Sequence, residues 1–205
     1  HIYLTISVNM TDARRLHAAG LPYDALFLKA LATALTEFPV LNSSLVEQQL
    51  QFHSSVDIGV AVALDDETLV VPVLRGVESK ALDQIAAERR ALIVKARARQ
   101  LAPDEMSGGT FTLSNLGMYG VEQFTAIINP PQSGILAVGA ISDEVRLEND
   151  AVVSLPVVRI TLGVDHRLVD GALAAKFLSR VKGLIEHAGR LQTPDFRDDY
   201  STLSS

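Results

Sequence analysis

Cysteine is missing from all 205 residues. Its absence excludes disulfides, thiolate metal sites and any acyl-cysteine intermediate, and it does not separate a bacterial cytoplasm from a mitochondrial matrix. No run of about 18 apolar residues is present to span a bilayer, and the first residues lack the charged, apolar and small-residue zones of a signal peptide. A soluble protein inside a cell, without a membrane partner, is therefore expected. Positive charge is also short: 18 Lys and Arg against 24 Asp and Glu leave a net charge of -6, which gives no reason to expect nucleic acid. The basic run Arg89 to Arg99 is the exception. Leu82, Ile85, Ala86, Leu92, Ile93 and Ala96 form an apolar stripe opposite it, so it reads as the solvated face of a helix. His1, His17, His53 and His187 have no spacing that suggests a metal cluster, and no metal is expected. Repeats are absent as well.

What is present is enough apolar material, 48% of the chain, for one sizeable core. Alternation predicts strands over Ile2 to Val8, Gln49 to His53, Val56 to Leu64, Leu69 to Leu74, Gly109 to Leu113, Ser133 to Ile141 and Val152 to Val164. Thr11-Asp12 reads as a cap before a helix over Ala13 to Ala19. The stripe Leu26, Phe27, Ala30, Leu31, Ala34, Leu35, Phe38 marks a core-facing helix from Tyr23, which Pro39 ends. Further helices are expected over Lys80 to Arg99 and Ala172 to His187. Strands and helices do not alternate regularly, so an α/β chain of the α+β type, with a mixed sheet flanked by helices, is favoured over a doubly wound parallel one. Residues 191–205 read as a loose C-terminal extension of a single domain over 1–205.

Two stretches carry chemistry. In Asp165-His166-Arg167-Leu168-Val169-Asp170-Gly171 an imidazole ends an apolar strand, with a carboxylate four residues on. His166 continues the phase of Val158, Ile160, Leu162 and Val164, which aims it at the packed side, where burial keeps an imidazole neutral and basic. Asp170 either orients that ring or pairs with an Arg to brace the loop; the plainer alternative is a turn that opens the last helix. In Gly108 to Gly120, Phe111 and Leu113 share one face while Thr110, Thr112 and Ser114 share the other. Ser114, the last hydroxyl before a Gly-bounded turn, is a candidate donor to a developing oxyanion. The glycines here fit neither a phosphate loop nor a dinucleotide fingerprint.

Taken together, these stretches resemble the catalytic domain of the acyltransferase component of 2-oxo acid dehydrogenase complexes, whose signature reads His-Arg-x-x-Asp/Asn-Gly. The resemblance is co-linear over the chain, through His1 to Thr5, Val56 to Val62, Leu69 to Val73 and both motifs. Asn115 to Gly120, with Phe124 to Gln132, is closest to the pyruvate (acetyl) branch. The resemblance implies a two-layer chloramphenicol acetyltransferase-like fold and acyl transfer between dihydrolipoamide, carried on a lipoyl domain, and coenzyme A. It further implies His166 as general base, Ser114 as oxyanion donor and Asp170 as the third site residue, with His and Ser meeting across the interface of a homotrimer. That trimer would build a larger core serving decarboxylase and dihydrolipoamide dehydrogenase components. Relatives often carry Ser or Cys where this chain has Gly163-Val164. They also carry a basic helical segment, lipoyl and peripheral-subunit-binding domains ahead of this region, so the chain is read as a shortened or processed core. A stand-alone acyltransferase acting on a small alcohol or amine, and an inactive structural core, stay open as alternatives.

Overall fold

The computed structural model describes residues 1–64, 68–148 and 150–192. In chain order the elements are β1 (Ile2–Asn9), α1 (Thr11–Ala18), α2 (Tyr23–Glu37), β2 (Ser43–Val46), β3 (Gln49–Phe52), β4 (Ile58–Val60), β5 (Val62–Ala63), β6 (Leu69–Val70), β7 (Val73–Leu74), α3 (Leu82–Arg97), β8 (Phe111–Asn115), β9 (Gly134–Glu148), β10 (Ala151–Val164) and α4 (Gly171–Glu186). A six-stranded sheet runs β1-β10-β9-β8-β4-β7. β8 is parallel to both β4 and β9, and the other pairs are antiparallel. The expected mixed sheet is therefore present.

Alternation decides which face takes the helices. Val158, Ile160, Leu162 and Val164 of β10, Leu136 and Val138 of β9, Phe111 and Leu113 of β8, and Ile58 of β4 join one buried cluster with α2 and α4. Leu26, Phe27, Ala30, Leu31, Ala34 and Leu35 are all buried, as the stripe on α2 requires, while Phe38 lies just past the helix and is half-buried. Each large side chain so buried contributes roughly 1.5–3 kcal/mol.

The opposite face is crossed by an irregular segment, 121–131. Ala140 N–H donates to Val121 O at 2.7 Å, and Gln123 Nε2 donates to Thr5 Oγ1 at 3.2 Å. Gly139 lies directly beneath: a Cβ there would sit 1.9 Å from Glu122 O. Only a residue without a side chain lets the segment lie so close.

Several boundaries differ from the sequence pattern. Val56 to Leu64 and Leu69 to Leu74 are each divided, because β4 pairs with β7 in the main sheet while β5 pairs with β6 in a separate ribbon. Pro72, which has no N–H to give a ladder, sits at the second break, and its carbonyl accepts from Val60 N–H. The strand β2, which pairs with the expected β3, was not legible in the sequence. Thr11-Asp12 is not the cap of α1: Thr11 is the first helical residue, Met10 holds the N-cap position without a side-chain bond, and Asn9 Oδ1 accepts from Thr11 N–H at 2.9 Å just ahead of the helix. Leu191 does not belong to a loose tail. It is buried in a 3-10 turn, Ala188–Gln192, packed on the core; the remainder of the expected extension, 193–205, lies outside the described residues.

Candidate active site

His166 is not on the strand. β10 stops at Val164, Asp165 N–H makes one further sheet-like bond to Ser133 O at 2.9 Å, and Leu168 N–H and Val169 N–H both fold back onto Asp165 O. This turn carries His166 outward, where it is exposed. The expectation that strand phase would bury the imidazole is thus corrected: the phase ends one residue early, and Asp165 takes the buried position.

Asp165 and Arg167 hold the turn from both sides of His166. Arg167 Nε donates to Asp165 Oδ1 at 3.0 Å and Nη2 to Oδ2 at 2.5 Å, while Arg167 N–H donates to Oδ1 at 3.0 Å. The Arg167 side chain, with help from its backbone N–H, keeps the Asp165 carboxyl below the usual carboxylate range against the opposing pull of burial. A forked guanidinium–carboxylate pair fixes direction as well as distance. The brace, one of the two roles weighed for Asp170, therefore belongs to Asp165; the Asp and Arg that flank His166 in the sequence carried that signal unread.

Asp170 neither pairs with an Arg nor bonds the ring among the described residues. It is the N-cap of α4, accepting Leu173 N–H on Oδ1 at 2.8 Å. The plainer alternative, a turn that opens the helix, describes its geometry.

On β8 and the residue before it, three hydroxyls share a face, and their bonding separates them. Thr110 Oγ1 is tied to the backbone of Asp57, and Thr112 Oγ1 donates to Gln132 Oε1 at 2.6 Å. The Ser114 hydroxyl, on a half-buried residue, has no hydrogen-bond partner among the described residues. Met118, Tyr119 and Ile127 stand exposed nearby in sequence at 69%, 66% and 83%.

His166 and Ser114 do not meet within one chain. Ser114 pairs with Ala137, which pairs with Thr161, and His166 lies five residues beyond Thr161 along the chain. At ~3.3 Å per residue and ~4.8 Å per strand, that is roughly 15–20 Å.

One ion pair was missed in the sequence. Arg89, the first residue of the basic run, turns inward from α3 and pairs with Asp24 of α2, so it is not part of the solvated face. Asp24 Oδ1 in turn accepts from Asn115 Nδ2 at 2.7 Å. Pairs this distant in sequence leave no periodic trace.

Among the described residues no group of three or more His, Cys, Asp or Glu is placed to hold a metal ion, and no helix is long and apolar enough to cross a membrane.

The chain is 39% identical over 197 residues to the dihydrolipoyllysine-residue acetyltransferase component of the pyruvate dehydrogenase complex of Rickettsia bellii, covering 91% of this chain and 47% of that protein. It is 40% identical over 199 residues to the mitochondrial counterpart from Schizosaccharomyces pombe, covering 91% and 41%. The chain thus spans about half the length of the curated relatives it matches. Among solved structures, the dihydrolipoamide acetyltransferase of Azotobacter vinelandii, studied for the roles of one serine, one histidine and one asparagine in catalysis, superposes with a TM-score of 0.87 at 35% identity, covering 94% of this chain and 84% of that one. The cubic core of a pyruvate dehydrogenase multienzyme complex matches with the same values. Chloramphenicol acetyltransferase, at 18% identity and a TM-score of 0.63 over 90% of this chain and 87% of that one, shares the fold. The family model for 2-oxoacid dehydrogenases acyltransferase (catalytic domain) matches residues 3–192. By both sequence and fold, the chain belongs to that family of acyltransferase catalytic domains.

Proposed function

We propose that this chain transfers an acetyl group between the thiols of dihydrolipoamide and coenzyme A, at sites shared between copies of itself. One observation carries the assignment of roles: Ser114, His166 and Asp170 stand at the same sequence intervals as the serine, histidine and asparagine studied in the Azotobacter enzyme. The geometry supports it, since Ser114 is the hydroxyl left unbonded on β8 and His166 is presented on a braced turn.

A thiol with a pKa near ~8.5 is mostly protonated at neutral pH, and a positioned imidazole lowers the cost of removing that proton. His166 takes the proton from the incoming thiol. The thiolate attacks the thioester carbonyl, a carbon–sulfur bond forms, and the carbonyl oxygen becomes an oxyanion that accepts from the Ser114 hydroxyl. Collapse breaks the original carbon–sulfur bond, and the departing thiolate recovers the proton from the His166 imidazolium. No acyl-enzyme is required, in keeping with a chain that has no cysteine. Asp170, as the cap of α4, fixes the far end of the His166 turn.

Because the two groups lie far apart in one chain, the smallest active unit is an oligomer in which His166 of one copy faces Ser114 of the next. A trimer, built into a larger core, suits the family, with a lipoyl domain delivering substrate and with decarboxylase and dihydrolipoamide dehydrogenase components as partners. The compartment is a bacterial cytoplasm or a mitochondrial matrix, and the domain occupies the whole of 1–205.

The test is thiol release from acetyl-coenzyme A with dihydrolipoamide as acceptor. His166→Ala is expected to lower kcat by about 10²–10⁴-fold and Ser114→Ala by about 10²-fold. Equal turnover by wild type and His166→Ala overturns the mechanism. Transfer to chloramphenicol in preference to dihydrolipoamide supports the stand-alone alternative instead.

A further inference from the structure

The hydroxyl of Ser114 has to be held to within a few tenths of an ångström if it is to meet an oxyanion, yet it makes no bond of its own. Its neighbour does. Asn115 is the last residue of β8, and its side chain is used at both ends: Nδ2 donates to Asp24 Oδ1 at 2.7 Å, and Oδ1 accepts from Gly117 N–H at 2.9 Å. The amide cannot be turned over, because a carboxylate only accepts and an N–H only donates. Asn115 therefore ties the strand end to α2 and also closes the turn that follows it.

Asp24 is itself fixed. It lies in the first turn of α2, where the helix dipole favours a negative charge. Its other oxygen is paired with Arg89 of α3, and the two side chains are only 12% and 19% exposed. Arg89 Nε is buried without a hydrogen-bond partner among the described residues, so the charge balance of this guanidinium rests heavily on Asp24. On the other side of Ser114, the strand is anchored by the pairing of Ser114 with Ala137 and by Leu116 N–H donating to Val138 O at 3.1 Å. The turn beyond is tight, since a Cβ on Gly117 would meet Gly139 O at 2.5 Å.

From this chain of contacts we infer that Asp24, held by Arg89, is a positioning residue for the oxyanion donor, acting on Ser114 through Asn115. The inference rests on the reading of Ser114 given above. Its logic is spatial: alternation puts Asn115 on the helix side of β8 and Ser114 on the other, so a pull on one side chain sets the tilt of the other. The acidic residue never touches substrate.

The experiment is a set of double-mutant cycles on the whole chain in the acetyl-coenzyme A and dihydrolipoamide assay. Asn115→Ala is expected to lower kcat about tenfold or more, since a misplacement near 1 Å can cost up to about a hundredfold, with KM for both thiols within about twofold. In the Ser114→Ala background the same change is expected to lower kcat by less than about twofold, because groups that act as one unit are not additive. Asp24→Asn keeps an acceptor for Asn115 and is expected to retain more activity than Asp24→Ala. Asp24→Ala serves as the probe if Asn115→Ala does not fold, with its loss likewise vanishing when Ser114 is already gone.

Loss of the same factor in both backgrounds, or kcat within about twofold of wild type for Asn115→Ala and both Asp24 variants, overturns the inference. The two readings fail differently. If Ser114→Ala alone loses no rate, the oxyanion assignment falls and takes this inference with it. If Ser114→Ala loses rate while the Asn115 and Asp24 variants do not, only the positioning role is lost.

Discussion

At the scale of single residues, the turn that carries His166 is organised by a buried carboxylate. Asp165 is buried, ionised and gripped by Arg167, and His166 is the residue between them. Its carboxyl lies below the ordinary value near ~3.9, so the pair stabilises the fold fully above that pH and the contribution is lost as pH falls through the depressed folded-state value. Arg167→Met is therefore expected to lower the unfolding free energy near neutral pH and to match wild type more closely in acid. Urea titrations at several pH values between 3 and 7 check this, and a difference that does not shrink in acid would count against the pair. Asp170 supports a contrasting expectation. If its work is to cap α4, Asp170→Asn keeps the cap and nearly all of kcat, whereas Asp170→Ala loses about 1 kcal/mol of stability; a large fall in kcat for Asp170→Asn would instead assign the negative charge a part in catalysis.

These residue roles were legible to different degrees. Alternation put Ser114 on one face with Thr110 and Thr112 but did not single it out, its role came from the family resemblance, and the structure adds that Thr110 and Thr112 are already bonded. His166 was found by its motif but misplaced, because a periodic pattern does not announce where a strand stops. Asp24, Arg89 and Asn115 were invisible as a group, since they come from three elements that the fold alone brings together.

At the scale of elements, long periodic segments were readable, whereas among the short strands β3 was read and β2 was not. The stripe on α2 and the alternation of β10 each repeat often enough to fix a face. β2, β5, β6 and β7 are four residues or fewer, and their pairing partners rather than their composition decide which sheet they join. The segment 121–131 has no regular structure, yet it is fastened over β9 by a contact that only Gly139 permits. Gly139→Ala is expected to destabilise the chain by about 1–3 kcal/mol, the usual range for overpacking. It should also raise hydrogen exchange at Ala140, whose N–H bonds Val121 O; an unchanged Tm and exchange rate would show that the segment does not depend on this approach.

For the whole molecule, the decisive fact is a distance. The register of β8, β9 and β10 puts His166 roughly 15–20 Å from Ser114 in the same chain, too far for one carbonyl to reach both. Composition, net charge and the missing cysteines had narrowed the class of protein without hinting at this division. The family resemblance implied it, and the order of the strands gives it a length.

Co-assembly of two inactive chains tests that division most directly. Ser114→Ala and His166→Ala are each expected to be nearly inactive, but where the histidine of the first faces the serine of the second, a complete site forms. Random mixing in equal amounts before assembly leaves about a quarter of the sites whole in a cyclic oligomer, so thiol release near that fraction of the wild-type rate is expected. A mixture no faster than the mean of its two parents would mean that His166 and Ser114 do not meet between chains.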